Sequence, residues 1–285
     1  MKTIDINQWE NTGQGMFGMS YFKRGDNSMM LKILSGDDAV KRAETELKVA
    51  REAYLLGIPT PEPGELVTDG TRTGIMFRRI VGKRSFGRIM GEQPERIPEL
   101  AAKYADMVKK LHSTPCDVNV FPDVRDMYGN MILANPVRDE DMKRRAYDMV
   151  QSLPGAGTCL HGDLHVGNVI TDEKNFYFID MAGFCHGNPM FDFAMSYLVL
   201  VAVPEDEMER SYHYRPEQGR LFWQEFLNAY FGTRVDTGEF ERGIAPYIVA
   251  RALTFETELA SVMPPELTPH VDYLMRTFLP HVSNF

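Results

Sequence analysis

The hydrophobic period of this chain changes near Gly82, and that change constrains the fold more than any other feature. Before it, short apolar runs alternate with turn signals. Residues 19–22 and 29–34 read as strands joined by the turn-rich Lys-Arg-Gly-Asp-Asn-Ser connector, and residues 65–68 and 74–80 as two more. Between these pairs Asp37 or Asp38 is placed to cap a helix running to about Leu56, with Val40, Ala43, Leu47, Ala50 and Tyr54 on one face. Gly57-Ile-Pro-Thr-Pro-Glu-Pro-Gly stops it. Beyond Gly82 the pattern turns helical over 95–112, 124–134, 139–152, 190–203, 216–231, 245–262 and 268–278. One apolar pair, 169–171 and 176–179, flanks Asp-Glu-Lys-Asn and reads as a hairpin. The expectation is an α+β chain with a small antiparallel-sheet domain over 1–81 and a larger, mostly helical domain over 82–285 that carries the hairpin. A length of 285 residues suits two such bodies.

A net charge of −9 and a pI near 5.3 argue against a nucleic-acid partner, because the chain repels a phosphate backbone. Most of the surplus falls after Leu200, in a stretch with no lysine, which suits a cationic ligand. Cys116, Cys159 and Cys185 are too few and too scattered for a disulfide framework and read as reduced thiols. The start of the chain lacks the apolar run of a signal peptide. The longest apolar stretch, 193–203, is short of a membrane span and is broken by Ser196. A cytoplasmic protein with no membrane partner is expected; the sequence carries no signal of oligomeric state.

The chemistry is concentrated in His161-Gly-Asp163-Leu-His165-Val-Gly-Asn168 and in the Asp180 that ends the hairpin. Antiparallel pairing returns Asn168 and Asp180 to the same end of the ladder. An amide oxygen and a carboxylate are hard donors suited to Mg²⁺, which keeps open positions for substrate phosphates. Asp163, in the loop just before, is placed to address a hydroxyl attacking a metal-bound phosphate. Phosphoryl transfer needs little beyond such neutralisation and alignment. A competing arrangement puts His161, Asp163 and His165 on one strand face as transition-metal ligands of a hydrolase.

The glycines of Gly13-Gln-Gly15-Met-Phe-Gly18 precede a strand, not the helix of a dinucleotide fold, and form a turn whose backbone can approach phosphates. Lys32, between Leu31 and Ile33, can reach beneath that turn. Glu46 lies nearer the apolar stripe of the first helix than Glu44, and Glu52 falls opposite it, so Glu46 is the carboxylate assigned to hold Lys32.

This ordered set, together with Gly187-Asn-Pro-Met-Phe-Asp192-Phe-Ala, resembles the aminoglycoside phosphotransferase and choline kinase family of small-molecule kinases over residues 13 to about 196. The resemblance implies a bilobal protein-kinase-like fold, ATP or GTP as donor, and Mg²⁺ as cofactor. It implies Asp163 as catalytic base, Asn168 and Asp180 as metal ligands, Lys32 with Glu46 as the phosphate-gripping pair, and His161 and Asp192 as supports of the catalytic loop. Phe77-Arg78-Arg79-Ile80 resembles the hinge, with main-chain groups of Arg78 and Ile80 meeting the adenine edge. Two arginines stand where the hinge commonly carries an acid, and Met-Ala-Gly follows Asp180. There is no HRD-type loop, no APE-type segment and no room for a regulated activation loop, which sets the chain apart from protein kinases.

The acceptor is less legible. On the helix stripe Ile248, Ala252, Phe255, Leu259 and Val262, Arg251 and Glu256 fall on the flanks as candidate substrate contacts. Tyr212-His-Tyr214 and Phe222-Trp223 are candidates for an aromatic wall around an ammonium group. An aminoglycoside, amino alcohol or amino sugar is the expected acceptor class. A nucleotide-binding pseudokinase is the non-enzymatic alternative.

Overall fold

Alternation along Met29–Leu34 sends Leu31 and Ile33 to one face of a sheet and Lys32 and Leu34 to the other, and the first half of the chain is built around that strand. The computed structural model describes every residue except 16, 17, 35, 37, 261–266 and 284. The candidate cap Asp37, the Met16-Phe17 tip of the glycine turn and the helix end at Val262 therefore lie outside the described residues.

The chain divides into two units. The first comprises 1–84 and 168–182. Its elements are β1 (Lys2–Thr3), β2 (Trp9–Gly15), β3 (Gly18–Lys23), β4 (Met29–Leu34), α1 (Ala39–Leu55), β5 (Pro63–Thr68) and β6 (Thr73–Arg78). Among the described residues these strands form one sheet in the order β1-β5-β6-β4-β3-β2, antiparallel except where β1 joins β5. One face buries Trp9, Tyr21, Leu31, Ile33 and Val67; the other packs Leu34 and Ile75 against Ala43 and Leu47 of α1. Gly18 lets β3 close on β4, since a Cβ there would come within 2.4 Å of the Ile33 carbonyl oxygen.

α1 ends as the glycine predicts. Gly57 is left-handed (φ 76°), its N–H bonds the Tyr54 carbonyl, and Ile58 N–H bonds that of Ala53. The buried stripe is Ala43, Glu46, Leu47, Ala50 and Ala53, while Val40 and Tyr54, expected inside, are exposed. Small alanines let the helix lie close to the sheet, and the stripe turns toward Glu46 because that carboxylate has a partner. Strand β2 gives no period-2 signal, being rich in glycine and polar residues; its ladder to β3, bulged between Asn11 and Gly13, is what makes it a strand.

The hairpin Val169–Thr171/Phe176–Phe178 belongs to this first unit, tied to it by Phe178 N–H donating to the Pro59 carbonyl at 2.7 Å. The division is therefore not the single cut after residue 81 read from the period change. The first segment runs on to Arg84, and tertiary pairing claims a hairpin from far along the chain.

The second unit comprises 85–167 and 183–285. It contains α2 (Phe86–Glu92), α3 (Ile97–Ser113), α4 (Val124–Leu133), α5 (Glu140–Ser152), α6 (Met190–Tyr197), α7 (Glu205–Glu207), α8 (Pro216–Phe231), α9 (Thr237–Gly243), α10 (Ala245–Leu259) and α11 (Leu267–Phe278). Ser85, Asp123, Asp139 and Asp236 cap α2, α4, α5 and α9 by accepting backbone N–H groups. The core is aromatic: Tyr104 meets Phe222 and Phe226 edge-on, and Phe193 stacks on Phe226. The helix expected over 190–203 is α for two turns and then π over Leu198–Ala202. α2 was not anticipated because Gly87 and Gly91 interrupt it. Those glycines let the helix pass against Tyr212 and His213, where a Cβ at position 91 would lie 1.8 Å from the His213 carbonyl oxygen. Among the described residues no helix is long and apolar enough to cross a membrane.

Candidate active site

In the first unit Lys32 is not an edge residue. β4 lies between β3 and β6, with Lys32 opposite Ser20 and Ile75, so the ammonium group rises from the middle of the sheet on the face covered by α1. Its Nζ donates to Glu46 at 2.7 Å and to Asp180 at 2.6 Å. Burial works to lower the lysine's pKa, and the Asp180 and Glu46 carboxylates outweigh it, holding Lys32 above its ordinary value and charged. Glu46, chosen over Glu44 and Glu52, is thus the carboxylate against Lys32.

Asn168 and Asp180 sit at one end of the hairpin. Ile179 N–H donates to the Asn168 carbonyl at 2.9 Å, a rung beyond the Val169–Phe178 pair. Asp180 has φ 58°, uncommon for a residue with a side chain and a form of local strain that concentrates at functional positions. An amide oxygen on a buried asparagine and a half-exposed carboxylate two residues past the paired strand are hard oxygen donors, a chemistry that suits Mg²⁺.

In the second unit the loop through Asp163 is braced from beneath. Asp192, buried in the first turn of α6, accepts the N–H of His161 at 2.8 Å and of Gly162 at 2.9 Å, and meets His112 Nε2 at 3.1 Å. His112 Nδ1 is in turn 3.1 Å from the Tyr230 hydroxyl. His161 is fully buried, with Nδ1 accepting the Asp163 N–H at 3.3 Å. Ser196 donates to the Leu164 carbonyl at 2.8 Å and pairs with the Tyr104 hydroxyl. The sequence reading missed His112 and Ser196. His112 ends an ordinary amphipathic helix and carries no local signal. Ser196 had one, as the polar break in the longest apolar run.

Asp163 lies between the Arg251 guanidinium and the His165 imidazole. Arg251 Nη2 donates to its Oδ1 at 3.5 Å, and His165 Nε2 stands 3.7 Å from Oδ2. Gly167 N–H donates to His165 Nδ1, which assigns the proton of the neutral ring to Nε2, facing Asp163. Burial pushes the Asp163 carboxyl up, but His165 first and Arg251 next outweigh it and hold the group well below the usual carboxylate range.

Other expected site residues are placed differently. His161, Asp163 and His165 do not share a strand face, because Gly162 turns the chain at φ 78°. Among the described residues no group of three or more His, Cys, Asp and Glu side chains is placed to hold a metal, which removes the hydrolase arrangement. Gly13 and Gly15 lie on β2 and Gly18 opens β3, so the glycine turn is the β2–β3 hairpin itself. The Arg78 N–H, expected to face a base, is taken by the Glu62 carbonyl. Glu256 does not line a cleft: it is buried on Arg138, with Nη2 at 2.7 Å and Nε at 2.8 Å, and on Asn135. Arg251, also expected at a flank, is buried against Asp163. Phe222, Trp223 and Tyr214 are core, and Tyr212 packs edge-on against His165.

Residues 19–237 match the phosphotransferase enzyme family, well over half of the chain. Solved structures share the fold at low identity. A choline/ethanolamine kinase family protein from Mesorhizobium loti matches with TM-score 0.61 and 17% identity, over 97% of this chain and 91% of that one. The ADP-bound aminoglycoside phosphotransferase APH(2'')-Ib gives 0.63 and 17%, over 98% and 95%. The amicoumacin kinase hAmiN, solved with AMP-PNP, Ca²⁺ and amicoumacin, gives 0.62 and 14%, over 96% and 89%. No curated protein matches the chain significantly. A sheet that raises a lysine between two carboxylates, a braced His-Gly-Asp loop and a helical second unit thus have a common explanation: the fold is protein-kinase-like, and the chain belongs to the phosphotransferase enzyme family.

Proposed function

We propose that this protein is a Mg²⁺-dependent kinase that moves the γ-phosphate of a nucleoside triphosphate to a hydroxyl of a small, cationic acceptor. The observation that carries the reading is the Lys32 ammonium held at 2.7 Å from Glu46 and 2.6 Å from Asp180. It is a fixed positive charge on the glycine-hairpin sheet, next to one end of a hard-oxygen pair. Lys32 grips donor phosphates, with Glu46 fixing its direction. Asn168 and Asp180 hold Mg²⁺, which neutralises charge on the phosphate oxygens. Gly13, Gly15 and Gly18 supply a hairpin backbone over the phosphates, and Ile80, with the carbonyl of Arg78, meets the base. Asp163 orients the acceptor hydroxyl and receives its proton as that oxygen bonds the γ-phosphorus and the bond from phosphorus to the β–γ bridging oxygen breaks, releasing the nucleoside diphosphate. His165 and Arg251 beside Asp163 keep its pKa below the usual carboxylate range, and the Arg251 contact holds the carboxylate in place.

A cationic acceptor is supported by the −9 net charge and by the acidic segment after Leu200. The proteins of similar fold include kinases of choline or ethanolamine, aminoglycosides and amicoumacin. Two arginines at the hinge leave ATP and GTP both to be tried as donors.

The test is a turnover screen with Mg–ATP and Mg–GTP against kanamycin, choline, ethanolamine and glucosamine. Acceptor-dependent release of ADP or GDP is expected for at least one pair, with loss of about 10²- to 10⁴-fold in Asp163→Asn and little change in nucleotide affinity. Nucleotide binding without turnover across a broadened panel of hydroxylated amines would instead favour the pseudokinase alternative. Undiminished turnover in Asp163→Asn would remove Asp163 from the mechanism.

A further inference from the structure

Arg251 is a buried cation, and the proposed reaction gives it no contact with substrate. It rises from α10 with 4% of its side chain exposed, and its donors reach α6, the Asp163 loop and two later positions of α10 itself. Nε meets Met195 Sδ of α6 at 3.0 Å, and Nη1 donates to Thr254 and to Glu258, each at 3.0 Å. Nη2 donates to Asp163 Oδ1 at 3.5 Å, while the rings of Tyr128 and Phe255 lie 5.9 and 5.7 Å from the guanidinium carbon. With 4% of its side chain exposed, the guanidinium is all but closed off from an incoming substrate. The carboxylate it holds is a different matter: 37% of the Asp163 side chain remains exposed. That carboxylate is touched on Oδ1 by Arg251 and approached on Oδ2 by His165, so its plane is fixed from both sides. Other ionisable groups bearing on it are His161, within its own loop, and the phenols of Tyr212 and Tyr104.

We propose that Arg251 is a positioning residue: its guanidinium, anchored on Glu258, fixes the Asp163 carboxylate toward the acceptor hydroxyl without itself touching substrate. The proposal rests on the reading of Asp163 as the group that addresses that hydroxyl. A guanidinium suits the task because a rigid planar fork spans two carboxylates at set angles, whereas an ammonium group offers a single point charge.

The variants are Arg251→Lys and Arg251→Gln, assayed with Mg–ATP against kanamycin, choline, ethanolamine and glucosamine. Misalignment of the reacting group should appear in kcat. We expect a fall of about 100-fold for Gln and about 10-fold for Lys, with KM for Mg–ATP within about twofold of wild type. Unchanged kcat in a folded Arg251→Gln, or a loss confined to the acceptor's KM, overturns the positioning role. Asp163→Asn separates the two levels: if it turns over normally the kinase reading of Asp163 fails, whereas an inactive Asp163→Asn beside a fully active Arg251→Gln defeats only the role given to Arg251. Should both Arg251 variants fail to fold, Glu258→Gln keeps the guanidinium and removes its far anchor. A fall in kcat of about threefold or more supports the proposal, and no change overturns it. If none of the four acceptors is phosphorylated, a crystal structure of Arg251→Lys decides: a displaced Asp163 carboxylate on an unmoved loop backbone supports the assignment, and an unmoved one refutes it.

Discussion

Lys32 in the first unit and Arg251 in the second each stand between two carboxylates, and the two arrangements differ in what they leave accessible. In the first unit Lys32 stands between Glu46 and Asp180, with 21% of its side chain exposed and Asp180 49% exposed. In the second, Arg251 stands between Asp163 and Glu258 with 4% exposed, while its carboxylates are 37% and 32% exposed. The lysine group presents its cation along with a carboxylate; the arginine group hides its cation and presents carboxylates alone. An accessible ammonium group can exchange a carboxylate oxygen for a phosphate oxygen with little rearrangement. A buried guanidinium cannot, and serves as a brace. Under the proposed function similar charge patterns would serve binding in one unit and orientation in the other, and burial of the cation would decide which.

The largest effect expected in the first unit comes from giving it the second unit's chemistry. Lys32→Arg supplies a fork where a point charge is needed, and kcat/KM for Mg–ATP should fall on the order of 10³-fold, as steady-state kinetics would register. Near-normal kinetics in that variant would show that the type of cation is immaterial there and would break the contrast.

Next comes the brace beneath Asp163. Asp192→Ala strands the N–H groups of His161 and Gly162 in a buried place and should cost about 3 kcal/mol, or roughly 6–12 °C in the thermal midpoint by scanning calorimetry. A midpoint shift under about 2 °C would mean that the loop holds its shape without that carboxylate.

The smallest effect is a control on depressed carboxylates. Asp69, in the β5–β6 turn, has its pKa pulled down to about 2, by the Arg72 and Thr71 N–H groups first and then by the Arg72 side chain. A folded pKa below the unfolded value of about 3.9 contributes stability at neutral pH that is lost as the pH falls from about 4 to about 2. Asp69→Ala should destabilise by about 1 kcal/mol at pH 7, with the difference from wild type shrinking at pH 2, and should leave turnover untouched. A change in turnover would mean that this turn is coupled to the site.

Much of the first unit was legible in the chain. A short apolar run bounded by turn residues marked β4, Gly57 marked the end of α1, and the choice of Glu46 over Glu44 followed from 100° steps around a helix. Two strands of apolar residues flanking Asp-Glu-Lys-Asn were enough to bring Asn168 and Asp180 to one end of a ladder. Legibility failed where a residue's neighbours come from distant segments. β2 has no strand pattern of its own, and α2 hides behind its glycines. Glu256 and Arg251 look alike as charges on one helix flank, yet Arg138 takes up the first and Asp163 the second.

Local residue order therefore established what is governed by neighbours a few positions away: the element types, the hairpin that pairs Asn168 with Asp180, and the cluster of residues suited to phosphoryl transfer. Long-range packing settled which of several similar charges meet, which side of a helix is inside, and which unit owns the hairpin. The reason is physical. Periodicity encodes the direction a side chain takes from its own backbone, but the free energy of a buried charge depends on the partner that packing delivers to it.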